Sequence, residues 1–176
     1  MNARLLGIVA AVVALGAVAL GIAEAPAKTG SAAPAKRITA RGVDGVKLGA
    51  THRSLRRAGR VGRIHHGCEL GGPTTRSARL LAPLKGQVNY TLRKPRKVTD
   101  ITIRGGAKAR GVGIGATIPR IKRAFPKAKV DHSTDSTFLL TLVRIPKNGG
   151  GRIVFAVSTK THRVTLIGVP IIAFCE

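Results

Sequence analysis

Four places in this 176-residue chain carry residue types that could do chemistry. His65-His66-Gly67-Cys68-Glu69 strings metal-ligand and nucleophile side chains in a row. Neighbours in an extended chain point to opposite faces, so at best two of them converge, and a metal would need Cys68 as a free thiolate. Asp131, His132, Ser133 and Asp135 hold the letters of a hydrolytic triad, but they fall in a Ser/Thr/Asp-rich connection with no oxyanion-hole motif beside it. Gly111-x-Gly113-x-Gly115 runs into a helical pattern, where first-turn amides can hold phosphate. Its spacing is not that of a dinucleotide fingerprint and no βαβ unit surrounds it, so it reads as a turn that needs small residues. The fourth place is Arg93-Lys94-Pro95-Arg96-Lys97, four cations around a proline that pre-sets a turn. Lys160, His162 and Arg163 take the equivalent positions later in the chain. Arg93, Lys94, Arg96, Lys97, Lys160 and Arg163 are therefore the candidates for anion contact. No catalytic, cofactor-binding or metal-binding residue is expected, and neither is a small-molecule substrate.

The elements that would position these side chains come in two copies. Gly45-Val46-Lys47-Leu48-Gly49-Ala50-Thr51 is echoed by Gly111-Val112-Gly113-Ile114-Gly115-Ala116-Thr117, at an offset of 66 residues. The same offset carries Arg57-Ala58 to Arg123-Ala124, and Val98-Thr99-x-Ile101 to Val164-Thr165-x-Ile167. A constant offset at both ends of a unit indicates duplication, and room for only two copies excludes a longer array.

Each copy opens with a turn and a short helix. Thr51 and Thr117 stand where an N-cap belongs, and Pro119 sits in a first turn, where a missing amide costs little. Ile118, Ile121 and Phe125 share one helical face; in the first copy Leu55 and Ala58 point inward while Arg53, Arg56 and Arg57 face water. Each copy closes in a hairpin: Gln87–Leu92 and Val98–Ile103 around the basic turn, then Ile153–Val157 and Arg163–Val169 around Ser158–His162. Phe138–Ile145 reads as a further strand. Ala78–Leu84, broken by Pro83, reads as an edge strand or loop, and Ile171–Phe174 as a last short strand. The expectation is an α+β fold in which two repeats, each a short helix followed by antiparallel strands, share one antiparallel sheet of about six to eight strands with both helices on one face.

Met1–Arg4 followed by an apolar run from Leu5 to Ile22, then small residues at Ala23, Ala25 and Ala27, has the form of a secretory signal peptide, taken as residues 1–25. Left uncleaved, those 18 apolar residues would just span a bilayer as a signal anchor. Residues 26–41 are Ala/Pro/Lys-rich and aperiodic, a flexible linker. Residues 42–176, with repeats 42–104 and 111–176, make one domain's worth of chain. Arg4 and Glu24 cancel, so the exported part carries the whole formal charge of +24. Such a surface attracts polyanions and is weakened by salt. In an exported chain the pair Cys68 and Cys175 reads as a disulfide, contributing roughly 4–5 kcal/mol in the chain-entropy picture.

The G-x-x-hydrophobic-G-x-[ST] turn opening a short helix, at Gly45–Gly59 and Gly111–Phe125, followed by a meander, resembles the small exported domains that include the SmpA/OmlA (BamE) outer-membrane assembly lipoproteins. Doubled in tandem, it is similar to the β-lactamase inhibitory proteins. The resemblance covers most of residues 42–176 and implies a non-enzymatic interaction domain. It does not bring β-lactamase inhibition with it, because Trp is missing and aromatics make up 3% of the chain, whereas tight interfaces depend on aromatic anchors. Nor does it bring a lipoprotein's role, since no lipidation cysteine follows the leader.

Together these features describe an exported, non-enzymatic binding module that associates through its basic surface with anionic cell-envelope polymer or lipid headgroups. A secreted or periplasmic protein–protein interaction or inhibitor-like module is the alternative. Nucleic acid is not favoured as a partner, for the chain carries no helix-turn-helix, RRM or stacking platform.

Overall fold

The computed structural model describes residues 36–67, 76–148 and 151–174, all within one compact unit. Among these residues run the strands β1 (Lys36–Thr39), β2 (Gly42–Val43) and β3 (Val46–Lys47), helix α1 (His52–Arg57), and strands β4 (Val61–His66), β5 (Arg76–Leu80), β6 (Lys85–Tyr90), β7 (Val98–Gly105) and β8 (Ala107–Lys108). Helix α2 (Ile118–Ala124), β9 (Lys129–Asp131), α3 (Asp135–Phe138), β10 (Leu140–Asn148), β11 (Gly151–Ser158) and β12 (Val164–Val169) follow.

The class is α+β, but the strands form two sheets rather than one shared sheet. Eight antiparallel strands lie in the order β4-β5-β6-β7-β12-β11-β10-β9, and a separate four-stranded sheet has the order β3-β2-β1-β8. The small sheet arises where a linker was expected. Residues 36–39 are extended, Ile38 is 3% exposed, and β1 pairs antiparallel with β2 and parallel with β8. One apolar side chain in a polar, aperiodic stretch is enough to anchor it against the core, so the linker expected to reach residue 41 gives way to a strand at Lys36.

Alternation decides the faces of the large sheet. Ala78, Val88, Ile101, Ile103, Val143, Phe155 and Ile167 pack with Leu55 of α1 and Ile121 of α2 in the main core. Phe155, Ile101, Ile103, Ile121 and Ile167 are fully buried. On the opposite face Leu142, Val154, Ala156 and Leu166 pack with Ile172, flanked by Leu140 and Phe174. Phe174 stacks on Phe138 with ring centroids 4.5 Å apart. The chain after β12 thus covers part of the second face, and β11 is buried on both sides, as a continuous apolar run requires. Residues 171–174 make this cover without being a strand.

Two further differences follow from pairing. β5 lies between β4 and β6 and is no edge; Pro83 falls just after it. The edge on this side is β4, which carries His65 and His66, and the other edge is β9. In α1 only Leu55 is buried, and Ala58 is exposed.

Backbone bonds recur at the 66-residue offset. Gly49 N–H donates to Val98 O at 2.9 Å and Val98 N–H to Ala50 O at 2.9 Å; Gly115 N–H donates to Val164 O at 2.8 Å and Val164 N–H to Ala116 O at 2.8 Å. Gly49 and Gly115 have φ 78° and 82°, and Gly45 and Gly111 φ 85° and 79°, the left-handed region where glycine carries no Cβ penalty. The echoed glycines thus meet the demand of a left-handed turn in each copy.

Candidate anion-binding surface

The first basic turn joins β6 to β7. Thr91 closes it: its N–H donates to Lys97 O at 2.8 Å, and its Oγ1 accepts from the Lys97 N–H at 3.0 Å. Arg93, Lys94 and Lys97 are exposed and Arg96 is half-buried, its Nε without a hydrogen-bond partner among the described residues. Helix α1 is fastened to this turn, since His52 N–H donates to Arg96 O at 3.0 Å and Thr51 pairs with Lys97. Thr51 also caps α1, accepting from Ser54 N–H at 3.2 Å. Arg53, Arg56 and Arg57, opposite the buried Leu55, therefore extend the basic turn into one end of the molecule. The helical pattern places these three arginines in water, whereas the bonds that join α1 to the turn are tertiary.

The second turn joins β11 to β12. Ser158 N–H donates to Arg163 O at 2.9 Å and His162 N–H to Ser158 O at 2.8 Å. Lys160 and Arg163 are exposed. The Arg163 guanidinium donates to Gly115 O at 3.0 Å, which ties this turn to the segment leading into α2. Thr117 occupies the N-cap of α2 but makes no side-chain capping bond. Arg120, Lys122 and Arg123 are exposed along that helix.

The six nominated cations do not form one patch. Each turn feeds the start of a central strand, Val98 of β7 or Val164 of β12. These two strands are antiparallel neighbours, with Ile101 opposite Val169 and Ile103 opposite Ile167. Their starts lie at opposite ends of the sheet. None of the six cations forms an ion pair among the described residues. Asp44 is held by Arg60 at 2.9 Å and Lys36 at 3.6 Å, Asp131 by Arg144 at 2.7 Å, and Asp135 by His132 at 2.8 Å. Exposed aliphatic residues accompany the cations. Leu92 is 51% exposed beside Arg93 at the first end. At the second, Leu139 is 63% exposed and its carbonyl accepts from Thr159 N–H at 3.0 Å, next to Lys160.

The triad-like letters resolve into local bonds. Asp131 is pulled down to about 2, chiefly by hydrogen bonds from Ser133 and then by Arg144. The His132 ring holds Asp135 below the usual aspartate value. Ser133 also meets Asp131 through its backbone N–H, which donates to Asp131 Oδ1 at 2.9 Å. His65 lies across from Ser77, Ser77 from Asn89, and Asn89 from Asp100. Ser77 Oγ donates to Asn89 Oδ1, the Asn89 amide donates to Asp100 Oδ1 at 2.8 Å, and Thr99 Oγ1 donates to Asp100 Oδ2 at 3.0 Å. Asp100 is 7% exposed, and burial pushes its carboxyl above the ordinary aspartate value. No signal in the sequence marked this row, because it is assembled by strand register. Cys68 and Cys175, the expected disulfide, lie outside the described residues, as does the leader.

The fold and surface define a class, a basic α+β protein built on an eight-stranded antiparallel sheet. Compared with protein-family models, with curated proteins and with solved structures, the chain matches none.

Proposed function

We propose that this protein is an exported, non-enzymatic binding module that holds to anionic surfaces of the cell envelope through the two basic ends of its sheet. The observation that carries the reading is the pair of turn-and-helix clusters around Arg93–Lys97 and Lys160–Arg163, whose six cations have no ion-pair partner among the described residues. The exposed Leu92 and Leu139 beside them favour lipid headgroups over a soluble polymer, because an aliphatic side chain gains by entering the headgroup boundary while cations gain by meeting anionic lipid. The repeated turn bonds support an origin by duplication of one helix-and-strands unit, the arrangement that the resemblance to the BamE-like and β-lactamase inhibitory proteins implies. The signal peptide and the Cys68–Cys175 bridge belong to the same reading.

Sedimentation with vesicles containing phosphatidylglycerol, as salt is raised, tests it. Each Lys or Arg near an anionic surface contributes about 1 kcal/mol, so replacing Arg93, Lys94, Arg96 and Lys97 by Gln should weaken binding at least tenfold. Leu92→Ser should weaken binding to vesicles and leave binding to a soluble polyanion unchanged. Binding that is insensitive to salt and to the four substitutions overturns the reading and directs the search to a protein partner, recovered by cross-linking.

A further inference from the structure

A cleft of about 800 Å³ opens between β1, the connection from α2 to β9, and the strands β10 and β11. This lies within the size range of small-molecule sites, roughly 300–1,000 Å³. Its floor is the exposed margin of the main core: Ile38, Phe125 and Ile153, which retain 3%, 7% and 6% of their surface. Its rim carries Arg37, Arg110 and Lys127, and no carboxylate is among the lining residues. The Arg110 guanidinium lies over the Phe125 ring at 5.2 Å from its centroid and donates to Ala124 O at 3.5 Å. A cation is thus held directly above the apolar floor.

The 66-residue offset shows what is unusual here. Position 44 in the first copy corresponds to 110 in the second, and both have the same left-handed backbone, φ 42° and 45°. The first copy has an aspartate there, which pairs with Arg60 and Lys36. The second has an arginine, so three cations surround a hollow with an apolar floor, and no carboxylate among the described residues lines it. We propose that this cleft binds a single-chain amphiphile with an anionic head, a fatty carboxylate in the simplest case. The head meets Arg110, Arg37 and Lys127, and the alkyl chain covers the floor. The site is separate from the two basic turns and does not rest on the envelope reading.

The probe is 11-(dansylamino)undecanoate, titrated into the purified protein in about 0.3 M salt so that attraction to the outer cations is screened. One saturable site is expected, with the probe displaced by dodecanoate but not by dodecyltrimethylammonium, which has the same tail and the opposite head. Octanoate should compete at least tenfold less well than dodecanoate, because burial scales with chain length. Arg110→Asp, which reproduces the residue of the first copy in a backbone conformation that copy already accommodates, should weaken the probe at least tenfold. Arg63→Asp, the same change of charge on the exposed edge strand β4, should leave it unchanged. Non-saturable uptake, equal displacement by both head groups, or equal effects of the two substitutions would each overturn the proposal. Vesicle sedimentation is read separately: it depends on Arg93–Lys97 and should survive Arg110→Asp, so either idea can fail alone.

Discussion

At the scale of single residues, two aspartates behave in opposite ways because of where their strands put them. Asp131 sits at the surface, where the Ser133 amide and hydroxyl and the Arg144 guanidinium favour its charged form and bring it down to about 2. The unfolded chain binds that proton more readily, so the contribution of Asp131 to stability is present above the ordinary aspartate range and is lost as pH falls toward 2. Asp100 is buried among neutral donors, and the folded protein holds its proton more tightly than the unfolded chain does. Its charge therefore lowers stability as pH rises above the ordinary value. Carboxyl-carbon NMR titration should find Asp131 titrating below, and Asp100 above, the usual aspartate position. Asp100→Asn keeps an acceptor for Asn89 and gains a donor for Thr99, so it should raise the thermal midpoint at pH 7, with the gain disappearing in acid. Asp100→Ala removes the acceptor and should cost about 1–3 kcal/mol, since the Asn89 amide is then left unpaired. A fall in midpoint with Asp100→Asn at pH 7 would show that the carboxylate has a cationic partner after all. In the core, Phe155 is fully buried, and Phe155→Ala should cost roughly 3–5 kcal/mol in chemical denaturation.

At the scale of elements, the short helices are held by what they are tied to. Six and seven residues cannot sustain a helix in water; α1 and α2 persist because Leu55 and Ile121 enter the core and because equivalent backbone bonds fasten each preceding turn to a central strand. Gly49 and Gly115 occupy the same left-handed position, and a Cβ on either meets nothing within 4 Å. Gly49→Ala and Gly115→Ala should therefore cost similar amounts, roughly 1–2 kcal/mol each, from backbone strain alone. At Gly86 a Cβ would collide with the Thr102 carbonyl across β7. Gly86→Ala should cost clearly more than either turn substitution, and equal costs for all three would contradict this account. Urea midpoints for the three variants decide it.

At the scale of the whole molecule, charge is the dominant property. A formal +24 on this chain must be offset by counter-ions or by a partner. Because β7 and β12 are antiparallel, the two basic turns point away from each other, and a flat anionic surface meets one end at a time. Neutralising Lys160 and Arg163 alone should therefore leave vesicle binding by the first end measurable, while neutralising both ends should abolish it; sedimentation of the single and combined variants checks this. If Cys68 and Cys175 are bridged, alkylation of the denatured, unreduced protein should label neither. Two labelled thiols would remove the bridge from the reading.

Local chemistry was legible in the sequence. The echoed glycines, the cap at Thr51, the existence of the hairpin strands β6, β7, β11 and β12 and the inward face of α2 all follow from turn conformations and from periods of 2 and 3.6. These depend on residues a few positions apart, and the chain carries them openly. The α+β class follows from the order of such elements. What depends on register and on burial across the sheet was not legible. One isoleucine in a polar stretch made β1 and with it a second sheet, and the His65-His66 segment became part of an edge strand. Residues 171–174 became a cover for a second apolar face, and Ser77, Asn89 and Asp100 were aligned into a buried row. The nominated cations show the same division: their presence and their turns could be read from residue types, but their separation to opposite ends was decided by the antiparallel pairing of β7 with β12. Likewise, the cleft beneath Arg110 exists only because three distant segments meet over Phe125. Short-range preferences act along the chain and are written in it; long-range pairing is chosen by which arrangement buries the most apolar surface, and only the folded molecule expresses that choice.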